Sequence, residues 1–218
     1  MNKEEFILPN GEKVEFFSDS HTYLVRGIKV PSITEVLKRV HGDKYKNVNP
    51  ELLERSAVYG TKVHKQIQDY IELRKVGIDI EPFLQESTQE TKNYFTIIEP
   101  IYKIEPLLTE VVVVLYDEDN PVAAGRFDLA AYHLPNNNII LCDFKTTSSI
   151  NTKDVSAQLN LYKRASEQSG YFQQGKITEL AAIHLSGEQA TLKPIPIFGE
   201  TFLKKYIDAA KQKGEIEG

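Results

Sequence analysis

The stretch NIILCDFKTTSSI, residues 138–150, places an aspartate and a lysine two positions apart at the end of an apolar run. The run breaks up into threonines and serines, which predicts a buried β-strand followed by a loop. Because side chains alternate between the two faces of a strand, Asp143 and Lys145 are expected to share a face. Burying charges beside a hydrophobic sheet is costly unless they are paired or hold a metal. The stretch therefore predicts a strand that ends in a charged site.

Two strand-like runs precede this one, EVVVVLYD (residues 110–117) and VAAGRFDLAAYH (residues 122–133), and together they predict a meander. Helical periodicity surrounds them, over about 57–76 and 85–99 before the strands and over 154–169 after them. Two more strands and a last helix follow. This order predicts an α/β fold with α+β character, in which a central mixed sheet is flanked by helices.

The predicted meander brings charges together. If residues 135–138 form the hairpin loop, Asp128 lies opposite Lys145 and diagonal to Asp143, on the same face. A loop with an even number of residues preserves this arrangement, whereas an odd loop separates the charges. If the first turn of the meander contains four residues, 118–121, the pairing of opposite residues places Glu110 on the face away from Asp128. Glu110 would then have a supporting or structural role.

A chain of 218 residues is long enough for one well-buried domain. We expect a single domain, 1–218, in which residues 57–218 form the core and residues 1–56 form an appendage of a hairpin and a helix. A capping box formed by Ser32 and Glu35 predicts the start of that helix. The polar residues that follow it, 41–56, predict a mobile connection.

The composition limits the function. The formal charge of −5 indicates no basic coat for nucleic acid, although local basic groups could still bind it. The single cysteine, Cys142, excludes a disulfide framework within the chain and an iron-sulfur cluster held by four cysteines. We expect no signal peptide and no membrane span, and hence a soluble cytoplasmic protein.

Two carboxylates beside a lysine suit a hydrolytic metal site. Carboxylate oxygens bind Mg²⁺ or Mn²⁺, the metal acidifies water, and a lysine offsets the negative charge that develops on an attacked phosphate. Hydrolysis of a phosphodiester uses all of these groups. The alternative is a cross-strand ion pair between Asp128 and Lys145, which stabilises the protein by less than about 1 kcal/mol. The Asp-X-Lys pattern alone favours this alternative because so short a pattern is common.

The segment YGTKVHKQI places Gly60 and His64 four residues apart on a helix. His64 shares a stripe with Ile67 and Ile71, so its imidazole is expected to face the sheet, where it could be a third metal ligand. A glycine inside a helix costs about 1 kcal/mol relative to alanine, which suggests that something packs closely against Gly60. For a lone histidine, the alternative is a core residue hydrogen-bonded to a carbonyl group.

The segment QLNLYKRA places Gln158 and Tyr162 on one face of the helix that follows the Lys145 strand. We expect both to face the strand ends, where they could hold a DNA phosphate. The alternative for a helical glutamine and tyrosine is an ordinary surface or core position. Arg126 is expected on the Asp128 face, where it could meet phosphate or neutralise the carboxylates.

The order of these motifs resembles the RecB-like branch of the PD-(D/E)XK nuclease superfamily. The matching residues, between 60 and 162, are Gly60-x-x-x-His64, Gly125-Arg126-Phe127-Asp128, Asp143-Phe144-Lys145-Thr146 and Gln158-x-x-x-Tyr162. The segment HTYLVRGIKVPSITEVLK, residues 21–38, also resembles the N-terminal part of exonuclease-like proteins of phages and prophages.

The resemblance implies a restriction-endonuclease-like core and assigns roles to residues. The implied metal ligands are His64, Asp128, Asp143 and the backbone carbonyl of Phe144. Lys145 is implied to be catalytic, with Gln158 and Tyr162 in support, and Glu110 matches an acidic residue that often precedes the core strands. Unlike some members, this chain has one cysteine rather than the four that hold an iron-sulfur cluster, and it has no helicase motor.

These expectations describe a nuclease that hydrolyses DNA with Mg²⁺ or Mn²⁺, most simply an exonuclease of phage-type recombination, repair or processing. Its expected partners are DNA and a single-strand annealing or recombination protein, with no membrane. The competing hypothesis is a DNA-binding or recombination scaffold that keeps the fold but does not cleave DNA without a partner.

Overall fold

The computed structural model describes residues 2–43, 46, 48–187 and 189–212. These residues form a mixed α/β fold whose five-stranded sheet is flanked by helices, which confirms the predicted fold class. The strands are β1 (Lys3–Ile7), β2 (Lys13–Phe17), β3 (Thr22–Val25), β4 (Ile28–Val30), β5 (Ile104–Asp117), β6 (Asn120–His133), β7 (Asn138–Lys145), β8 (Ile177–Ser186) and β9 (Gln189–Ile195). The helices are α1 (Ile33–His41), α2 (Pro50–Lys75), α3 (Glu81–Glu86), α4 (Gln89–Asn93), α5 (Glu99–Tyr102), α6 (Thr152–Gln168) and α7 (Glu200–Lys211), and a π-helical stretch (Tyr94–Ile98) joins α4 to α5.

The larger sheet has the strand order β5-β6-β7-β8-β9. β5, β6 and β7 form the predicted antiparallel meander. β7 and β8 are parallel, and a parallel pair needs a crossover connection, which α6 provides. The loop after β7 therefore leads directly into α6, so the Asp-X-Lys segment and the helix that carries Gln158 lie at the same end of the sheet.

The register between β6 and β7 differs by two residues from the predicted one. Leu129 pairs with Cys142, so continuing the ladder places Asp128 opposite Asp143, not opposite Lys145. The prediction was wrong because the hairpin loop begins and ends one residue earlier than its proline and asparagines suggest. The loop still contains an even number of residues, so the expected parity is preserved.

A β-bulge corrects the predicted position of Glu110. The ladder between β5 and β6 shifts by one residue between Leu115 and Tyr116. The ladder pairs that flank the two carboxylates are Thr109 with Leu129 and Val111 with Phe127. Glu110 therefore lies opposite Asp128, and the expectation that it faces away was wrong because a bulge changes the parity of every residue beyond it.

The N-terminal region is larger than the predicted hairpin and helix. β1 to β4 form a four-stranded antiparallel sheet, which we call the N-terminal sheet. The predicted boundary after residue 56 falls inside α2, and residues 50–56 are helical rather than a connection. Asn49 caps this helix by accepting a hydrogen bond from the backbone N–H of Glu51. The first turns of α2 are exposed, which explains why their sequence lacks helical periodicity.

The start of α1 agrees with the sequence. The Ser32 hydroxyl accepts a hydrogen bond from the backbone N–H of Glu35 at 3.1 Å, and the Glu35 carboxylate accepts one from the backbone N–H of Ser32 at 2.6 Å. This is the predicted capping box. The predicted helix over 85–99 is instead divided among α3, α4, the π-helical stretch and α5, and Pro100 lies within the first turn of α5 rather than ending a helix.

Buried side chains pack on both faces of the larger sheet. α1, α6 and α7 cover one face, while α2 and the π-helical stretch cover the other beside β7 and β8. The N-terminal sheet packs against β5 and β6 through Val112, Val114 and Ala124. No helix among the residues described above is long and apolar enough to cross a membrane.

Candidate metal centre

The strands β6 and β7 separate where the predicted site begins. Their ladder ends at Leu129 and Cys142. Beyond that pair, the Asp128 carboxylate reaches across and accepts a hydrogen bond from the backbone N–H of Phe144, with an N···O distance of 2.6 Å. The side chain replaces a ladder partner, since a buried backbone N–H needs an acceptor. Asp128 is therefore fixed in the gap between the two strands.

The regular alternation of side chains breaks at the carboxylates. Phe127 and Leu129 are two residues apart and should share a face, yet Phe127 belongs to the core under α6 and Leu129 to the core under α2. Opposite them, Glu110 has a φ of 50°, in the left-handed region. Such a conformation costs about 1–3 kcal/mol for a residue other than glycine. The irregularity allows both Glu110 and Asp128 to approach α2.

His64 of α2 completes a group of three possible ligands. Its Nδ1 atom lies 3.6 Å from Asp128 Oδ1 and 3.7 Å from Glu110 Oε1. One ligand atom from each residue lies within 4.8 Å of the others. The edge of the imidazole contacts the ring of Phe144, with ring centroids 5.4 Å apart, which fixes its orientation. One imidazole nitrogen with two carboxylates is a donor set that fits Mn²⁺ or Mg²⁺.

The two carboxylates favour the protonated form of His64. Burial lowers the pKa of His64, but the nearby charges of Asp128 and Glu110 outweigh this effect and raise it to about 10. Burial raises the pKa of Asp128, yet the pKa is lowered overall because His64, Lys145 and the N–H of Phe144 favour the carboxylate. An imidazolium therefore supplies the positive charge that the carboxylates require.

Asp143 and Lys145 form a second cluster beside the first. Asp143 is buried, and its Oδ2 atom lies 2.7 Å from Lys145 Nζ. Lys145 Nζ also donates a hydrogen bond to Gln158 Oε1 at 3.3 Å. Burial raises the pKa of Asp143 to about 6, and the Asp128 charge adds to this increase although Lys145 opposes it. Asp143 is paired with Lys145 and lies outside the group of His64, Glu110 and Asp128, so its role as a metal ligand stays a prediction.

The two residues predicted from the QLNLYKRA segment have different roles. Gln158 fixes Lys145 through the hydrogen bond described above. Tyr162 is 5% exposed and packs across Gly125, where an added Cβ would lie 2.8 Å from Tyr162 Cε1. Gly125 is thus required by the tyrosine ring, and Tyr162 occupies the core position that the sequence left as its alternative.

The predicted close contact at Gly60 is present. A Cβ atom at this position would lie 3.2 Å from Thr146 Oγ1, at the end of β7. The glycine therefore lets α2 approach the strand that carries Lys145, and this approach brings His64 to the carboxylates.

The site opens into a cleft of about 700 Å³ between α1, α2, the loop after β7 and the start of α6. This volume is in the range of ligand-binding clefts. The lining includes Lys38, Gly60, His64, Lys145, Thr146 and Gln158. His64 and Lys145 thus both border the cleft.

Arg126 lies on the side of the site that faces the N-terminal sheet. Its guanidinium carbon is 5.5 Å from the ring centroids of both Phe6 and Phe16. Its Nη2 atom is 3.6 Å from Glu4 Oε2. Sequence reasoning placed Arg126 near Asp128 but missed its partners, because Phe6 and Phe16 are distant in the chain and carry no motif.

Sequence reasoning also gave no role to His41. Its Nδ1 atom is 2.6 Å from Asp154 Oδ1, and its Nε2 atom is 2.9 Å from the Tyr206 hydroxyl. The three residues belong to α1, α6 and α7. No spacing in the sequence indicates this network, because its members come from distant parts of the chain.

No family model matches the chain, and no curated protein matches it. Among solved structures, the crystal structure of SSO0001 is similar, with 14% sequence identity and a TM-score of 0.43 over 82% of this chain and 73% of that chain. The resemblance to the nuclease superfamily therefore rests on the residues described above.

Proposed function

We propose that the protein is a metal-dependent DNA nuclease of the RecB-like type, with a restriction-endonuclease-like core and exonuclease action in phage-type recombination, repair or processing in the cytoplasm. The observation that carries the proposal is the grouping of His64, Glu110 and Asp128 beside the Lys145–Gln158 pair, at the edge of an open cleft. DNA is the substrate, and a single-strand annealing or recombination protein is the expected partner.

The donor set supports a divalent cofactor, Mg²⁺ or Mn²⁺, without an iron-sulfur cluster. Glu110, Asp128 and His64 would hold the ion, which would supply Lewis acidity to the phosphodiester. Lys145 cannot ligate it, because an ammonium group has donors and no lone pair. Held by Asp143 and Gln158, Lys145 is oriented to stabilise negative charge as it develops on the attacked phosphate.

A purely structural network explains the geometry less well. Cross-strand ion pairs need no break in the strand, whereas here Glu110 adopts a left-handed backbone conformation and Asp128 leaves the ladder. Strained backbone conformations persist where the surrounding structure enforces them, and they cluster at functional sites. The strain at Glu110 therefore favours a ligand-binding role for the group.

The first experiment tests whether the protein binds and uses a divalent metal ion. Asp128→Asn should lower the affinity for Mn²⁺ by at least about tenfold in calorimetry, since it removes one charged ligand of a small site. Wild-type protein should cleave linear DNA with Mn²⁺ and not with EDTA. Asp69→Asn, at an exposed position of α2, is the matched control and should change neither property. Undiminished Mn²⁺ binding by Asp128→Asn would overturn the assignment.

Lys145→Ala separates chemistry from binding. The variant should fold with a lowered melting temperature, because the buried Asp143 loses its partner. It should keep its Mn²⁺ affinity and much of its DNA affinity in Ca²⁺, while cleavage should fall by about 10²-fold, the usual effect of removing one preorganised charge donor. Lys65→Ala, on the exposed face of α2, is the control. A near wild-type cleavage rate would show that Lys145 is only an ion-pair partner, and DNA binding without any wild-type cleavage would support the scaffold hypothesis.

A further inference from the structure

Arg126 lies near Glu110 and Asp128, the two candidate metal ligands that belong to β5 and β6. It lies two residues before Asp128 on β6 and pairs with Val112, which lies two residues after Glu110 on β5. Adjacent residues of a strand are about 3.3 Å apart, so Arg126, two residues from Asp128 on β6, lies close to the carboxylates along the strand. Lys145 faces the cleft, whereas Arg126 faces the N-terminal sheet. The two cations therefore border different sides of the molecule near the carboxylates.

The aromatic contacts hold the guanidinium without using its hydrogen bonds. Phe6 and Phe16 come from β1 and β2, and each ring centroid is 5.5 Å from the guanidinium carbon of Arg126. Cation–π contacts of this kind orient an arginine through its faces. Contacts to the rings leave the N–H donors at the edges of the guanidinium free to bind an acceptor, in the planar fork that matches a phosphate.

One of these donors lacks an acceptor. Nη2 of Arg126 is buried and has no hydrogen-bond partner among the described residues. The Glu4 carboxylate is 3.6 Å away, which is too long for a hydrogen bond. A buried charged donor without an acceptor is unfavourable, so an incoming oxyanion would be bound there. The Glu4 side chain is 48% exposed and can move away.

We propose that Arg126, held against Phe6 and Phe16, forms a phosphate subsite that binds a DNA phosphodiester next to the one at the metal group, and that Glu4 occupies this subsite when DNA is absent. The inference rests on the proposed function for the identity of the ligand. It gives the N-terminal sheet a direct part in substrate binding, because Phe6, Phe16 and Glu4 all belong to it.

The first experiment measures the binding of an oligonucleotide in Ca²⁺ over a range of salt concentrations. Arg126→Gln should weaken binding by about tenfold and lower the slope of log affinity against log salt by about one, the signature of one lost phosphate contact. Lys65→Gln, which removes the same charge and loses an ion pair with Asp69 on the exposed face of α2, is the control. Wild-type affinity and slope in Arg126→Gln would overturn the proposal.

The second experiment does not depend on how well Arg126→Gln folds. Glu4→Gln should tighten DNA binding by about threefold, since it removes a partly exposed competitor for Arg126. Glu5→Gln changes the net charge equally, but Glu5 pairs with Lys3 and Lys13 instead, so it should not reproduce a gain that depends on Arg126. The gain from Glu4→Gln should disappear in the Arg126→Gln background. A gain that persists there would overturn the subsite.

The two proposals fail in different ways. If the wild-type protein binds DNA through Arg126 but cleaves nothing with Mn²⁺, the nuclease is refuted and the subsite stands. If the protein cleaves DNA and Arg126→Gln leaves affinity and salt dependence unchanged, only the subsite is refuted. Absence of DNA binding by the wild-type protein refutes both.

Discussion

At the scale of single residues, the raised pKa of His64 is the most informative feature. With a pKa of about 10, the imidazole is protonated at neutral pH in the metal-free protein. A metal ligand must be neutral imidazole, so ion binding has to release this proton. Lowering the pH favours the proton over the ion, and raising it favours the ion until the pH reaches the pKa of His64.

We therefore expect the Mn²⁺ affinity to rise by about tenfold per pH unit between pH 6.5 and 8.5, because each ion that binds releases one proton from His64. Calorimetry in two buffers of different ionisation enthalpy would count the protons released. His64→Gln should bind Mn²⁺ more weakly and lose most of this pH dependence. Release of no proton by the wild-type protein would mean that His64 remains an imidazolium and is not a ligand.

Gln158 offers a second test at this scale. Gln158→Leu keeps the approximate shape of the side chain and removes the acceptor that orients Lys145. Cleavage should fall by about tenfold, as expected for losing about 1.4 kcal/mol from one hydrogen bond to a charged group. Metal affinity should not change. Gln173→Leu, at an exposed position, is the control, and equal cleavage rates for the two variants would contradict the positioning role.

At the scale of elements, the sequence predicted the strands, the capping box of α1 and the helix after β7, because each has a local signal. It could not predict the bulge near Leu115 or the left-handed conformation of Glu110. Neither position carries the glycine or asparagine that usually marks such a backbone. Parity arguments across a hairpin are therefore reliable only when no bulge intervenes, and Glu110 was misplaced for this reason.

The contact between α2 and β7 leads to a prediction at the same scale. Gly60→Ala should favour the helix by about 1 kcal/mol from propensity alone, but its Cβ would lie 3.2 Å from Thr146 Oγ1. The two effects oppose each other, so we expect little change in the free energy of unfolding. We also expect a severalfold loss of Mn²⁺ affinity, because the new contact would push α2, and with it His64, away from the carboxylates.

The double variant Gly60→Ala/Thr146→Ala removes the contacted hydroxyl and should restore Mn²⁺ affinity. Ser56→Ala, at an exposed position of the same helix, controls for helix propensity. If Gly60→Ala binds Mn²⁺ as tightly as the wild-type protein, the close approach is not needed to place His64.

At the scale of the whole molecule, the sequence predicted an appendage, residues 1–56, beside a core, residues 57–218. In the structure, side chains of the two parts contact each other. Contacts between residues far apart in the chain connect the two parts: Phe6 and Phe16 contact Arg126, and His41 contacts Asp154 and Tyr206. Local patterns do not encode such contacts. His64, Asp128 and Lys145 were found from motifs, whereas the position of Glu110 and the groups that contact Arg126 required the fold.

The hydrogen bonds of His41 allow the coupling between the N-terminal region and the rest of the protein to be tested. His41 joins α1 to α6 and α7 through two hydrogen bonds at 2.6 and 2.9 Å, and Asp154 also accepts one from Asn151 at the cap of α6. Removing one partner from a buried hydrogen bond costs about 1–3 kcal/mol. Tyr206→Phe should therefore lower the free energy of unfolding by about 1 kcal/mol, and His41→Gln by more.

Urea unfolding followed by tyrosine fluorescence and by circular dichroism should report both variants. Because α1 lies N-terminal to α2 while α6 and α7 lie C-terminal to the meander, loss of the network should shift a single cooperative transition and leave its slope unchanged. Tyr102→Phe, which removes a hydroxyl outside the network, is the control. If His41→Gln instead creates a separate early transition, the N-terminal region is an independent unit, and its proposed part in binding DNA would have to act without rigid coupling to the site.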